Sequence, residues 1–180
     1  MSGPEVSAGH ADTWDADVAV EELYAAHYRR LVRLSMLLVR DPETAEEVVQ
    51  DAFVAMHGRW RGLRDPDKAL AYLRQVVVNR SRSVIRRRVV AARHVPEVAP
   101  DRPGADADAA DRERRAQVLD AMRALPTRQR EVIALRYYLD LSESQIAETL
   151  GISNGAVKSH ASRAAAALRT SLGALMEDPS

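Results

Sequence analysis

The 180-residue sequence contains no cysteine. This absence excludes disulfides, thiolate metal sites and direct thiol redox sensing, and it is compatible with a reducing cytoplasm. Long apolar runs are also missing, because stretches such as Leu37 to Val39 and Val76 to Val78 are far too short to span a bilayer. The N-terminus is polar and acidic, unlike a signal peptide. We therefore expect a cytoplasmic protein with no membrane insertion.

Sequence motifs of catalysis are missing as well. The five histidines are scattered along the chain, and there is no HExxH motif, phosphate-loop glycine pattern or GxSxG motif. His27 lies on the apolar face of the first predicted helix, with no metal-type residue three or four positions away, so we interpret it as a core or boundary residue. We predict no metal site and no cofactor, and we expect that the protein is not an enzyme.

The sequence does contain a helix-turn-helix pattern over Leu141 to Arg169. Ser142 is predicted to cap the first helix together with Gln145, and Gly151 to end that helix in a left-handed conformation. Ser153 is predicted to cap the second helix, whose buried side carries Val157, Ala161, Ala164 and Leu168. The opposite side presents polar and basic residues, which suits the major groove of DNA.

An ordinary helical hairpin would give a similar pattern. Charge favours DNA binding, because no acidic residue lies between Thr149 and Met176, whereas four basic or histidine residues do: Lys158, His160, Arg163 and Arg169. The whole chain has 26 basic and 26 acidic residues, so its net charge is zero. The charge is therefore segregated along the sequence, which is compatible with a nucleic-acid partner.

The N-terminal half predicts a helical domain over residues 18–90, preceded by a disordered tail over residues 1–17. Asp41 and Pro42 predict the start of its second helix, by a cap followed by proline. The apolar stripe of that helix leaves an acidic face outward, with Glu46, Glu47, Gln50 and Asp51. A longer helix follows and ends in a cluster of arginines: Arg80, Arg82, Arg86, Arg87 and Arg88.

Residues 91–110 lose helical periodicity and contain prolines at positions 96, 100 and 103. We predict that they form a flexible linker. A second helical domain is predicted over residues 111–176. The predicted fold class is thus all-α, with two small helical domains joined by a tether that lets them change their relative position.

Four segments together resemble one protein family. They are AEEVVQDAF (45–53), AYLRQVVVNRSRSVIRRR (71–88), LPTRQREVIALRYY (125–138) and LSESQIAETLGISNGAVKS (141–159). Their content and order resemble bacterial RNA polymerase sigma factors of the sigma-70 superfamily, in the extracytoplasmic-function (ECF) group. Within that group the chain is similar to the actinobacterial sigma-E family.

The resemblance implies two domains, region 2 and region 4, that bring core RNA polymerase to promoter DNA. It implies that Glu47, Gln50 and Asp51 bind the coiled coil of the largest polymerase subunit, with the polymerase flap as a further contact. Contacts to the minus-ten element are implied for Arg61, Asn79, Arg80, Ser83, Arg86 and Arg87. Contacts to the minus-thirty-five element are implied for Asn154, Lys158, Ser159, Ser162 and Arg163. An anti-sigma protein is a partner that the sequence leaves open.

A second function is kept as an alternative. LuxR-type helix-turn-helix transcriptional regulators share features of the C-terminal half, including the AVKSH stretch over residues 156–160. Such a regulator with a receiver domain would show alternating strands and helices in its N-terminal half. The N-terminal half here is predicted to be helical throughout, which favours the sigma factor.

Overall fold

The structure, a computed structural model, describes residues 8–60, 65–92 and 109–176, with side chains described for 17–60, 65, 67–91 and 113–173. Within these ranges the chain forms seven helices and no strand, which confirms the all-α prediction. They are α1 (Ala8–Val39), α2 (Pro42–His57), α3 (Pro66–Ala92), α4 (Ala109–Ala124), α5 (Thr127–Ile133), α6 (Glu143–Leu150) and α7 (Asn154–Met176).

Helices α1, α2 and α3 pack against one another to form the N-terminal domain. Arg40 closes α1 in the left-handed conformation, with φ of 68°. Asp41 then caps α2, because its carboxylate accepts a hydrogen bond from the Thr44 amide at 3.0 Å. The predicted apolar stripe of α2 is buried along its whole length: Ala45, Val48, Val49, Ala52, Phe53 and Met56. The α2 start and its buried face are therefore confirmed.

Helix α1 begins at Ala8, so residues 8–17, predicted to belong to a disordered tail, are helical in this structure. The same helix continues into packed turns around Leu23 and Leu31, and extending an existing helix costs far less than starting one. The three alanines of this stretch, at positions 8, 11 and 16, also favour a helix. Residues 1–7 lie outside the described residues, as do 61–64 and 93–108, the larger part of the predicted linker.

The C-terminal domain is built on α7, which contacts α4, α5 and α6. Both predicted caps are present: Ser142 and Gln145 form the reciprocal capping box of α6, and the Ser153 hydroxyl accepts from the Ala156 amide at 3.1 Å. Gly151 ends α6 with φ of 64°, as predicted. Between α5 and α6 the chain forms a π-helical turn, Ala134–Tyr138. The chain then leads into the Ser142 cap of α6, which packs against α7 to form the helix-turn-helix.

The two domains are in direct contact. Helix α1 contacts α4, α5 and the π-helical turn, and α3 contacts α6, the first helix of the helix-turn-helix. The buried apolar residues form one continuous cluster that includes residues of both domains. The chain in this structure is therefore closed, with its minus-ten and minus-thirty-five candidate surfaces on domains that are held together.

Candidate polymerase and promoter interfaces

The exposed face of α7 carries the residues expected to read the minus-thirty-five element. Asn154, Lys158, Ser162 and Arg163 are exposed and Ser159 is half-buried. Val157 and Ala164, on the opposite side, have no exposed area. This division follows from helical geometry, since residues three and four apart share a face. The predicted groove-facing side is therefore brought together on one surface.

Electrostatics distinguish the two cations of that surface. The Lys158 ammonium lies 3.7 Å from a carboxylate oxygen of Glu143, whose other oxygen lies 3.6 Å from Arg136. Among the described residues, Arg163 has neither a hydrogen-bond nor an ion-pair partner. Exposed pairs such as Lys158–Glu143 contribute only about 0–1 kcal/mol, so DNA phosphates or bases can displace Glu143. Both cations are accordingly available to DNA.

The outward face of α2 presents Glu47, Gln50 and Asp51 to solvent, as predicted. Asp51 is not isolated, because its carboxylate accepts a hydrogen bond from the Arg80 guanidinium of α3. Both side chains are about half exposed, at 52% for Asp51 and 44% for Arg80. A residue expected to bind polymerase and a residue expected to bind DNA therefore hold each other in this state.

A groove separates α2 from α3 at this point. Its walls carry carboxylates and a hydroxyl from α2 and guanidinium groups from α3, and its lining includes Thr44, Glu47, Asp51, Arg80, Ser83 and Arg87. The facing charges are of opposite sign, so the groove is nearly balanced rather than strongly cationic. Residues expected to contact polymerase and residues expected to contact DNA thus line the same groove of the N-terminal domain.

The remaining minus-ten candidates lie on a connected ridge of α3. Ser83 donates its hydroxyl to the Asn79 carbonyl at 3.0 Å, and the Arg86 guanidinium approaches the Ser83 hydroxyl at 3.5 Å. Asn79 and Arg86 are exposed. The candidates are therefore divided between a ridge with Asn79 and Arg86 and a groove wall with Arg80 and Arg87, and Ser83 contacts the ridge residues and also lines the groove. Arg61 lies outside the described residues.

Arg88 has a different role from the other arginines of the predicted cluster. Its guanidinium donates to the Val39 carbonyl and to the Asp41 carboxylate, each at 3.1 Å, and also contacts the Thr44 hydroxyl. These bonds tie the end of α3 to the α1–α2 turn. The Thr44 hydrogen bond, together with Arg88, lowers the pKa of Asp41 below its ordinary value. Sequence reasoning could not separate this structural arginine from its neighbours.

Sequence reasoning also missed the polar contact between the two domains. The Arg82 guanidinium of α3 donates two hydrogen bonds to the two carboxylate oxygens of Glu131 in α5, each at 2.9 Å. Glu131 is only 1% exposed and also accepts from Arg128 of its own helix at 3.1 Å. No local sequence signal marks Glu131 as an interdomain contact, because its partner in the other domain, Arg82, lies 49 residues away.

A second contact between the domains is made by Arg130. Its guanidinium donates to the Leu38 carbonyl at the end of α1, at 3.1 Å, and to the Leu125 carbonyl at 3.0 Å. It also binds the carbonyls of Met122 and Arg123 in the last turn of α4. Burial, and then the neighbouring Arg40, lower the pKa of this guanidinium. The Arg130 guanidinium thus donates to buried carbonyls at the ends of two helices, α1 and α4, as a helix cap does.

Within the described part of the chain, no helix is long and apolar enough to cross a membrane. The same residues contain no group of three or more histidines and carboxylates arranged to hold a metal ion.

Comparisons with known proteins agree with this architecture. The family model for Sigma-70 region 2 matches residues 23–89, and the model for Sigma-70, region 4 matches residues 115–168. The chain is 36% identical over 155 residues to the RNA polymerase sigma-E factor of Streptomyces avermitilis, covering 84% of each chain. It is 32% identical over 158 residues to the ECF RNA polymerase sigma factor SigM of Mycobacterium tuberculosis, covering 87% of this chain and 79% of the relative.

A solved structure extends the likeness to the whole fold. CnrH, in complex with the cytosolic domain of CnrY, superposes with a TM-score of 0.65 at 28% identity, covering 91% of this chain and 98% of CnrH. The LuxR alternative is not supported, because the N-terminal half matches region 2 of the sigma factors. The chain therefore belongs to the sigma-70 family of RNA polymerase sigma factors, within the ECF group.

Proposed function

We propose that this chain is an alternative sigma factor that binds core RNA polymerase, recognises minus-ten and minus-thirty-five promoter elements and starts transcription. The observation that carries the proposal is the presence of both surfaces on one chain, an acidic α2 face beside the α3 arginines and a basic recognition face on α7. The protein supplies binding and strand-opening contacts, and catalysis of RNA synthesis belongs to the polymerase. Its place of action is the cytoplasm, at the nucleoid.

Each surface has a proposed partner. Glu47, Gln50 and Asp51 bind the coiled coil of the largest polymerase subunit, and region 4 contacts the flap. The ridge and groove wall of α3, with Arg61, bind the melted minus-ten strand, where phosphate contacts and base stacking supply affinity. The α7 face, with Asn154, Lys158, Ser159, Ser162 and Arg163, reads the minus-thirty-five duplex in the major groove. Residues 91–110 form the tether between the two domains.

A protein inhibitor is a further proposed partner. The structurally similar CnrH is bound by the cytosolic domain of CnrY. By analogy, a small protein that wraps this chain would hold the domains in the closed arrangement and cover the α2 face. Such a partner would compete directly with core polymerase.

Run-off transcription tests the proposal. Purified chain is added to core polymerase on a library of genomic promoter fragments, and the transcripts are sequenced. We expect transcripts that start downstream of shared minus-ten and minus-thirty-five sequences and that require both proteins. A chain that binds promoter fragments by itself and yields no transcript with core polymerase would contradict the proposal and favour an ordinary DNA-binding regulator.

A further inference from the structure

Arg82 lies on the same face of α3 as the ridge residues, although it is not among the promoter contacts proposed above. It is three positions after Asn79 and four before Arg86, spacings that place side chains together on a helix. Its guanidinium also donates to the Asn79 side-chain oxygen at 3.2 Å. Arg82 is therefore part of the proposed minus-ten surface by position, and it is held there by a member of that surface.

In the closed chain this arginine is occupied by a carboxylate of the other domain. Glu131 receives both hydrogen bonds of the guanidinium fork at 2.9 Å, which is the two-pronged geometry that arginine also uses for a phosphate. The Arg82 side chain is only 26% exposed in this state, and Glu131 is 1% exposed. A DNA phosphate therefore cannot reach Arg82 while Glu131 is in place.

The closed arrangement is also too short for a promoter. Elements centred near positions minus ten and minus thirty-five are about 25 base pairs apart, or about 85 Å at about 3.4 Å per base pair. In the closed chain α3 directly contacts α6, and α7 follows α6 after only three residues. Helix α7 has 23 residues and is about 34 Å long at about 1.5 Å per residue, so it cannot bridge that distance. Promoter recognition therefore requires that the domains separate.

Separation does not leave an unpaired buried charge. Glu131 keeps its contact with Arg128 inside region 4, at 3.1 Å, and Arg82 keeps Asn79. A second side-chain pair joins described residues of the two domains, Arg30 with Asp140, and it is long at 3.8 Å and largely exposed. Further polar contacts between described residues of the domains are to backbone carbonyls, such as that of Leu38 from Arg130. Arg82–Glu131 is thus the pair at which a DNA phosphate could replace a carboxylate when the domains separate.

We infer that Glu131 occupies a phosphate-binding position of Arg82, so that region 4 masks part of the minus-ten surface until the domains separate and promoter DNA replaces the carboxylate. This inference rests on the proposed function and adds to it a promoter contact, Arg82, and a built-in competitor, Glu131. A ligand that binds only the open chain gains apparent affinity in proportion to the fraction of open chains. Weakening the Glu131 contact should therefore raise DNA affinity.

The test measures opening and DNA binding on the same full-length variants. The chain has no cysteine, so Val54→Cys on α2 and Ala166→Cys on α7 give two unique dye sites at exposed positions. Distance between the dyes is read by energy transfer in the free protein. Binding is read with a single-stranded oligonucleotide of mixed sequence, because the proposed Arg82 contact is to a phosphate and does not depend on the bases.

Two variants separate masking from simple interdomain adhesion. Glu131→Gln keeps the size of the side chain and removes its charge, and we expect a longer dye distance and about tenfold tighter oligonucleotide binding if about one wild-type chain in ten is open. Arg82→Ala should open the chain equally but bind several-fold more weakly than Glu131→Gln, because the phosphate ligand is gone. Arg128→Ala removes the intradomain partner of Glu131 and leaves the Arg82 contact in place, so it is the matched control and should not lengthen the dye distance.

An unchanged dye distance in both variants would overturn the inference, and so would equal gains in oligonucleotide affinity for Arg82→Ala and Glu131→Gln. If Glu131→Gln unfolds region 4, Arg82→Lys replaces it in the comparison, because lysine keeps the charge for a phosphate but cannot make the two-pronged contact. Arg82→Lys must then open the chain and bind the oligonucleotide more tightly than Arg82→Ala. Transcription by the wild-type chain with core polymerase is scored separately, so its absence would contradict the proposed function rather than this contact.

Discussion

Replacing Arg163 with alanine should relax base preference at one minus-thirty-five position. Arg163 is exposed on α7 and has no partner among the described residues, so the change creates no cavity and should alter stability by less than about 0.5 kcal/mol. An arginine that binds guanine with two hydrogen bonds contributes about 1–3 kcal/mol of discrimination, or about 5- to 160-fold. The loss should therefore appear in specificity and not in folding.

The helix geometry also predicts where the loss appears. Lys158 and Arg163 are five residues apart, about 7.5 Å along the α7 axis at about 1.5 Å per residue. That distance matches about two base pairs at about 3.4 Å each. Lys158→Ala and Arg163→Ala should therefore affect different positions of the element, separated by about two base pairs if the helix runs along the groove.

The assay is transcription with core polymerase on a library randomised over the minus-thirty-five element, with base frequencies counted in the transcribed templates. Arg169→Ala is the matched control, because Arg169 is an exposed arginine of the same helix six positions further on. The control should lower activity uniformly across sequences, if it has any effect. Retained activity with unchanged base preference in Arg163→Ala would refute the assignment of α7 as the reading helix at this residue.

Three further predictions address polymerase binding, backbone conformation and pH. Gln50→Ala combined with Glu47→Lys and Asp51→Lys should abolish co-elution with core polymerase while circular dichroism remains that of the wild type; normal co-elution would contradict the assigned surface. Gly151→Ala should destabilise the helix-turn-helix by about 1 kcal/mol in thermal unfolding. The φ angle is 64° there and an added Cβ meets no atom within 4 Å, so only the cost of the left-handed backbone remains. An unchanged melting temperature would show that α6 ends differently. Burial lowers the pKa of His27, with smaller contributions from Arg74 and Arg30. The unfolded chain therefore takes up the proton first, and the free energy of unfolding should fall as pH drops below about 6.5. In denaturant titrations of His27→Gln this part of the pH dependence should be absent.

The local features of the fold could be predicted from sequence because each depends on residues three or four positions apart. The Asp41 cap, the Ser142–Gln145 capping box and the Gly151 stop are contacts of this kind. The buried stripe of α2 follows from the same periodicity. The outward faces of α2 and α7 were predictable for the same reason, whereas the choice of polymerase- and DNA-binding residues on them came from the family resemblance.

The start of α1 was not predictable in this way. Composition alone indicated a tail over residues 1–17, but the helix runs back without a break from the packed turns around Leu23 to Ala8, and extending a helix costs little once it exists. The propensity of a short polar segment is a weak signal, and an adjoining packed helix overrides it.

The sequence by itself determined which helices form, where they are capped and which faces they bury, since these depend on local hydrogen bonds and apolar spacing. Only the tertiary structure decided which charges meet. It paired Arg80 with Asp51, 29 residues apart, and Arg82 with Glu131, 49 residues apart. It also assigned Arg88 to the α1–α2 turn rather than to the DNA surface. A row of arginines is alike in sequence, and each acquires its role from the carboxylate or carbonyl that packing brings within reach.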